Sequence, residues 1–274
     1  MTRSWTLRVW GVRGSTPAAA PDMAEYGGNT SCVSVAGGDE IVVFDAGSGL
    51  IQLGRAWQAA NGPKRVHIFL SHLHMDHVIG LFGFPLLHDP DAEIHLYGEA
   101  KMGVPFQRLI ESLVSPPYWP LGIHDFQARI LFHEIAPEET VILPGSPDAA
   151  VRTMRGNHPN QSLLCRLDAG RKSVVYALDC EMDAEIRPRL TEFARDSQVL
   201  IWDANFTASD LREGWGHSTW EQGIALRRAC GADTALMTHY CWSYTDQFLR
   251  EQERLAAEAD GAVRFAKEGM EILL

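Results

Sequence analysis

The chain has 274 residues, 46% hydrophobic and 22% charged, with a net charge of −11. That length and balance describe a globular protein with a substantial core, not a disordered or fibrous one. Basic residues cluster no further than pairs such as Arg227-Arg228, so an acidic surface argues against long polyanions as partners.

In chain order, β-branched and aromatic runs predict strands near 5–11, 31–36 and 41–45, with turns such as Gly37-Gly38-Asp39 between them. A helix over 48–60 leads to a strand at 66–70, a helix over 77–87, a strand at 94–98 and a helix over 99–113. Strands follow at 129–134, 150–155, 162–168 and 173–178. Then come a helix over 183–195, a strand at 198–202, a helix over 218–230, a strand at 234–238, a helix over 244–259 and a strand over 262–273. The early part runs mostly strand to strand, and later strands alternate with helices. This α/β order suits two mixed sheets packed face to face with helices outside. The segment 114–126, with Pro116, Pro117, Pro120, Tyr118 and Trp119, reads either as a rigid surface loop or as an aromatic flap beside the active site that supplies stacking surface for a base or sugar.

Five cysteines, with no Cys-x-x-Cys pair, fit free thiols in a reducing compartment. No apolar leader or membrane-length stretch is visible. A cytoplasmic protein without membrane contact is the expectation.

The densest chemistry lies at Ser71-His72-Leu73-His74-Met75-Asp76-His77, directly after the apolar run Val66–Leu70. Imidazole and carboxylate together suit a borderline transition metal such as zinc, manganese or iron. Four potential ligands exceed what one ion with an open position needs, so the spacing points to two ions. Further candidates end other strand-like runs. His158 follows Val151–Met154, and Pro159 holds it out of the helical region. Asp179 ends Ser173–Leu178 and can offer one oxygen to each ion. His239 ends Thr234–Thr238.

His72-x-His74-x-Asp76-His77 resembles the metal-binding signature of the metallo-β-lactamase superfamily. With His and not Glu at position 74, it is similar to the hydrolytic branches. The resemblance implies one four-layer αββα sandwich over residues 1–274, two mixed sheets flanked by helices. It implies that His72, His74 and His158 hold one divalent ion, that Asp76, His77 and His239 hold a second, and that Asp179 is shared. Zinc is favoured, with manganese or iron as alternatives. Asp45, in Phe44-Asp45-Ala46-Gly47, resembles an early Asp-x-Gly motif that orients the ligand loop, or is an ordinary helix-start Asp. His67, His88, His95, His124 and His133 have no such context and read as structural or exposed.

Gly216-His217-Ser218-Thr219, with Glu221 three residues after Ser218, has the form of a capping box. Ser218 would be the N-cap and His217 would sit just outside a helix start, where phosphate binds. This stretch, Gly11–Pro17 and Tyr26–Cys32 resemble the phosphodiesterase branch, which includes tRNA 3′-end endonucleases and phosphoribosyl cyclic phosphodiesterases. The Gly27-Gly28-Asn29-Thr30 turn and Arg13 are weaker candidates for phosphate contact. Asp76 and His217 are the residues expected to have a catalytic task. The implied function is hydrolysis of a small anionic phosphate ester, cyclic or not, or of a cyclic nucleotide, by two divalent metal ions through a bridging hydroxide. Hydrolysis of a thioester, lactone or β-lactam on the same site is the nearest alternative, and a non-catalytic binding protein is the alternative of another class. No long nucleic acid is expected, and a homo-oligomer is left open.

Overall fold

The computed structural model describes residues 4–274 except 39, 61, 63 and 64, so Asp39 of the expected turn lies outside the described residues. The described residues form two seven-stranded sheets. The first holds β1 (Trp5–Gly11), β2 (Cys32–Gly37), β3 (Glu40–Phe44), β4 (Arg65–Phe69), β5 (Glu93–Gly98) and β6 (Arg129–Glu134) in sequence order. The second holds β7 (Thr140–Leu143), β8 (Ser146–Gly156), β9 (Ser162–Ala169), β10 (Lys172–Ala177), β11 (Val199–Asp203), β12 (Thr234–Thr238) and β13 (Val263–Phe265). The final strand, β14 (Glu271–Leu273), returns to the first sheet and pairs antiparallel with β1.

Each sheet begins as an antiparallel meander and continues as parallel strands, β3 to β6 in one and β10 to β13 in the other. Parallel neighbours need a crossover, which helices supply. These are α1 (Gly49–Ala59), the one-turn α2 (Met75–Val78), α3 (Phe106–Leu113), α4 (Ile186–Phe193), α5 (Trp220–Cys230) and α6 (Asp246–Ala259). The expected two mixed sheets flanked by helices are found. Because parallel strands point the same way, their C-terminal ends gather the connecting loops on one rim, where α/β folds place chemistry.

The core follows from alternation along the strands. Val42 and Phe44 face the second sheet, packing with Tyr176, Val151 and Leu163. Ile41 and Val43 face outward and pack with Leu50, Leu53, Phe84 and Phe106. A strand buried on both faces reads as an unbroken apolar run, as Ile41–Phe44 does.

Several expected boundaries shift. The helix expected over 77–87 is one α-turn followed by two short 3-10 segments, Ile79–Gly83 and Pro85–His88. Pro85 forces Phe84 into extended backbone, and a Cβ at Gly80 would lie 2.0 Å from the Gly47 carbonyl oxygen. The helix expected from 99 begins at Phe106, after Pro105. β7 was absent from the expected elements. It is a four-residue edge strand turning through Gly145 at φ 89° into β8. The single strand expected over 262–273 is two strands in different sheets, separated at Gly269 with φ 84°.

On the inner face of the first sheet, His67 is wholly buried. Its Nε2 donates to Glu40 at 3.1 Å, and its Nδ1 accepts from the Tyr97 hydroxyl at 3.2 Å. Burial, with His95, Arg65 and His133 nearby, pushes its pKa down to about 3. The unfolded chain then binds a proton below about pH 6.5 that the folded chain refuses. Stability should therefore fall as pH drops from about 6.5 toward 3, by a few kcal/mol. Unfolding midpoints across that window, with chelator present throughout, should show the slope, and His67→Gln should flatten it. An unchanged slope in the variant assigns the acid sensitivity elsewhere.

Candidate metal centre and active site

Six strand ends meet at one rim. Asp45 follows β3, the loop 71–77 follows β4, His158 follows β8, Asp179 follows β10, Asp203 ends β11 and His239 follows β12. Asp45, Asp179 and His239 all lie in the left-handed region, with φ of 60°, 54° and 62°. Such backbone costs about 1–2 kcal/mol per residue and persists where surrounding structure imposes it, often at functional sites.

The nitrogens of His72, His74 and His158 converge. His72 Nε2 lies 2.8 Å and His158 Nε2 3.2 Å from His74 Nδ1. A second group pairs imidazoles with carboxylates. Asp76 Oδ2 lies 3.1 Å from His77 Nε2 and 3.3 Å from His239 Nε2, and Asp179 Oδ2 lies 3.1 and 3.2 Å from the same two nitrogens. Ligand atoms around a tetrahedral zinc with bonds of about 2.0–2.1 Å lie about 3.3 Å apart. Asp179 Oδ1 turns the other way, 3.5 Å from His158 Nε2. The carboxylate thus offers one oxygen toward each group.

The opposite nitrogens of these rings are held by the protein. His72 Nδ1 donates to Ser71 Oγ at 3.0 Å, His77 Nδ1 to Asp45 Oδ2 at 2.6 Å, and His158 Nδ1 to the Gly216 carbonyl at 2.9 Å. Each bond fixes the tautomer that leaves Nε2 with a lone pair facing the centre. Burial lowers the pKa of His72, His74 and His158, which keeps them neutral as ligation requires. His77 Nε2 and Asp179 Oδ2 are buried without a hydrogen bond. Asp45, Asp76, Asp179 and Asp203 are all buried, and among the described residues no Lys or Arg pairs with them. Buried carboxylates at this density need compensating cations. The donor set therefore fits divalent metal ions.

The sequence pattern of the β-lactamase superfamily domain matches residues 41–240, well over half the chain. The chain belongs to that superfamily. It is a metal-dependent hydrolase with the metallo-β-lactamase fold. A ribonuclease Z of Bacillus velezensis is 25% identical over 248 residues, covering 75% of this chain and 79% of the relative. The solved metallo-β-lactamase fold protein YhfI of Bacillus subtilis superimposes with a TM-score of 0.75 at 22% identity, covering both chains in full (100% each). A diphosphatase of the PhnP family superimposes with a TM-score of 0.69 at 18% identity, over 98% of this chain and 97% of its own.

In this superfamily member all seven expected ligand candidates stand together. Asp45 lies behind them. Its Oδ1 accepts from the Ser71 amide at 2.7 Å, and its Oδ2 from Ser71 Oγ at 2.9 Å, His77 Nδ1 at 2.6 Å and Tyr176 Oη at 2.7 Å. Asp45→Asn should weaken metal affinity by about 10–100-fold, the usual cost of losing a partner that orients a ligand. Competition against a chromophoric chelator measures this, and unchanged affinity would remove Asp45 from the site.

His217 is placed differently from the expectation. The N-cap of α5 is Thr219, whose Oγ1 accepts from the Gln222 amide at 3.2 Å while Gln222 Oε1 accepts from the Thr219 amide at 3.1 Å. The cap consumes the N–H groups of Thr219 and Gln222. Ser218 instead accepts from the Met182 amide at 3.1 Å and donates to the Cys180 carbonyl at 2.6 Å, tying α5 to the Asp179 loop. What defines His217 is Asp203, whose Oδ2 accepts from its Nδ1 at 2.8 Å. Burial would lower the His217 pKa, but Asp203, with Asp179 and Asp76, raises it to about 9. Asp203 was missed in the sequence, although Val199–Trp202 is an apolar run ending in Asp like those before Asp45 and Asp179.

Two weaker candidates are structural. Arg13 is buried, with Nε donating to the Gly27 carbonyl at 2.7 Å and Nη1 to the Tyr244 carbonyl at 2.6 Å. In the Gly27–Thr30 turn, the Asn29 amide donates to Glu268 at 2.6 Å and the Thr30 amide to Ser48 Oγ at 3.0 Å, so neither awaits a phosphate. Gly14 has a clearer task. A Cβ there would lie 2.7 Å from the His239 ring and 2.5 Å from Asn205 Nδ2, so only glycine lets this loop cross the centre. Its neighbour Ser15 donates its amide to Asp76 Oδ2 at 2.8 Å.

Proposed function

We propose that this hydrolase is a binuclear phosphodiesterase acting on a small, cyclic or otherwise compact, phosphate ester. The observation that carries this is the Asp203–His217 pair at 2.8 Å, set beside Asp179 (His217 Nδ1 to Asp179 Oδ1, 3.6 Å). Asp203 and His217 also gather with Asp179 and His239 closely enough to hold a cation, and the commitment of His217 Nδ1 to Asp203 favours a proton donor over a ligand. His72, His74 and His158 would hold one ion, Asp76, His77 and His239 the other, and Asp179 both. Two divalent cations there would supply Lewis acidity and a nucleophile available at neutral pH. Asp203 holds Nδ1 of His217 and so presents Nε2. As water oxygen adds to phosphorus and the bond to the leaving oxygen breaks, Nε2 gives that oxygen its proton. Asp76, anchored by the Ser15 amide, keeps the reacting face in place.

Zinc, manganese and iron all suit this donor set, and availability selects among them. The ligand candidates come from both sheets, which supports residues 1–274 acting as one domain. Five cysteines without a disulfide support a reducing, cytoplasmic setting. Among the described residues no helix is long and apolar enough to cross a membrane.

The relative named ribonuclease Z makes RNA the rival substrate. The net charge of −11 argues for a compact anion instead. A panel of bis-p-nitrophenyl phosphate, nitrocefin, a thioester and a precursor tRNA tests the proposal. Small phosphodiesters should exceed the carboxyl substrates in kcat/KM by orders of magnitude. A better rate on nitrocefin or the thioester overturns it, and efficient cleavage of precursor tRNA transfers it to RNA.

A further inference from the structure

A cavity of about 420 Å³ opens between the loop after β11 and the loop after β12. Its volume lies in the range of about 300–1,000 Å³ that takes small ligands. It shares a wall with the candidate centre. His217 lines it, and so does Asn205, whose Nδ2 donates to the His239 carbonyl at 3.0 Å.

The rest of the lining is mostly aromatic, with one cation, Arg212, and one carboxylate, Asp210, which is taken up by the Thr207 amide and hydroxyl and by the Tyr244 hydroxyl. Trp215 comes from one loop and Trp242 from the other, and they are 55% and 52% exposed. Phe206 meets Trp215 edge-on, with centroids 6.4 Å apart. The Arg212 guanidinium carbon lies 4.7 Å from the Trp215 ring centroid. Among the described residues no carboxylate pairs with Arg212, in a chain with eleven excess negative charges. Two large indoles left half in water, beside a stacked and unpaired guanidinium, form a surface for a flat π-system with hydrogen-bonding edges. A purely apolar ligand would leave Arg212 unused, and a simple anion would leave the indoles unused.

A second groove, of about 780 Å³, runs beside Met75, Phe82, Tyr118 and Trp119. It is the place where an aromatic flap was expected from residues 114–126. Trp119 there packs on Phe82 with centroids 5.2 Å apart, and its lining carries no charged side chain. The groove lacks the cation and the wall shared with His217.

We propose that the cavity at Trp215, Trp242 and Arg212 binds the heteroaromatic base of a nucleoside phosphate, with the phosphate toward His217. The inference rests on the phosphodiesterase reading for its placement of the phosphate. Base stacking on the indoles, with Arg212 donating to base acceptors, makes the substrate a nucleotide and not a base-free sugar phosphate.

Calorimetric titration of the zinc-loaded full chain with AMP and with ribose 5-phosphate tests this without relying on turnover. AMP should bind at least about 10-fold tighter, within the range one base–aromatic stack supplies. Trp215→Ala and Trp242→Ala should each shrink that preference several-fold, and Trp215→Phe should restore most of it. Equal affinities in the unmodified protein overturn the base site. So does a preference that survives both alanine variants, or one lost only in Tyr118→Ala. Turnover of bis-p-nitrophenyl phosphate is measured in parallel. A base preference without phosphodiester turnover leaves the base site standing and removes the phosphodiesterase reading, whereas turnover without preference does the reverse.

Discussion

Asp179→Asn should reduce bound metal from two ions per chain toward one and lower phosphodiester kcat by more than about 10³-fold, because the supply of a nucleophile at neutral pH is lost. Asn is the informative replacement. Asp179 has φ 54°, a conformation that Asn tolerates and Ala resists. Its backbone ties, the amide to Asp203 at 3.0 Å and the carbonyl from Ser162 Oγ at 2.7 Å, survive the change. The amide keeps one oxygen where the carboxylate had two, so it cannot serve both nitrogen groups equally. It also loses the charge. His239 and His77 hold the Asp179 carboxyl well below its usual range despite burial, which shows how strongly this position is built for an anion. Elemental analysis after gel filtration gives the stoichiometry. Two ions retained with activity intact would end the assignment of Asp179 as a shared ligand. A melting temperature within a few degrees of the parent would confirm that the loss is local.

Much of this site was legible because its signals are local. A cluster such as His72-x-His74-x-Asp76-His77 is dense enough to mark itself, and an apolar run ending in Asp or His marks a strand end. Asp179 and His239 stand out as candidates in that way. Asp203 carries the same signal, yet nothing in the sequence pairs it with His217, fourteen residues away across a loop. Only the parallel register of β11 against β12, Asp203 beside Thr238, brings it next to the centre. The cap of α5 shows a different limit. Ser218-x-x-Glu221 and Thr219-x-x-Gln222 are both valid boxes one residue apart, and tertiary contacts of Ser218 with Cys180 and Met182 decide between them. Arg13 was legible only as a cation near a loop. Its burial under the β12–α6 segment depends on contacts more than two hundred residues distant. The sheet switch before β14 has a local mark, Gly269, but its destination is long-range.

His217→Ala should lower phosphodiester kcat by roughly 10²–10⁴-fold, the range for losing a general acid or base, while both metal ions stay bound. Its Nδ1 is committed to Asp203, and although it gathers with Asp179, Asp203 and His239, its ring stands 5.2 Å from that of His158 and 5.3 Å from that of His239. The loss should depend on the leaving group. An alkyl ester needs a proton to depart and should suffer most, whereas p-nitrophenolate leaves unaided and should suffer least. Asp203→Asn should follow the same pattern at smaller amplitude. It leaves His217 present but removes the carboxylate that orients the ring and favours its protonated form. Asp203 also accepts the Asp179 and Asn205 amides, at 3.0 and 2.9 Å, so metal content must be measured in that variant too. Equal losses on both esters would make His217 a phosphate-binding group and not an acid. Loss of metal in His217→Ala would make it a ligand, and an unchanged rate would leave the Asp203–His217 pair a purely structural tie between β11 and the start of α5.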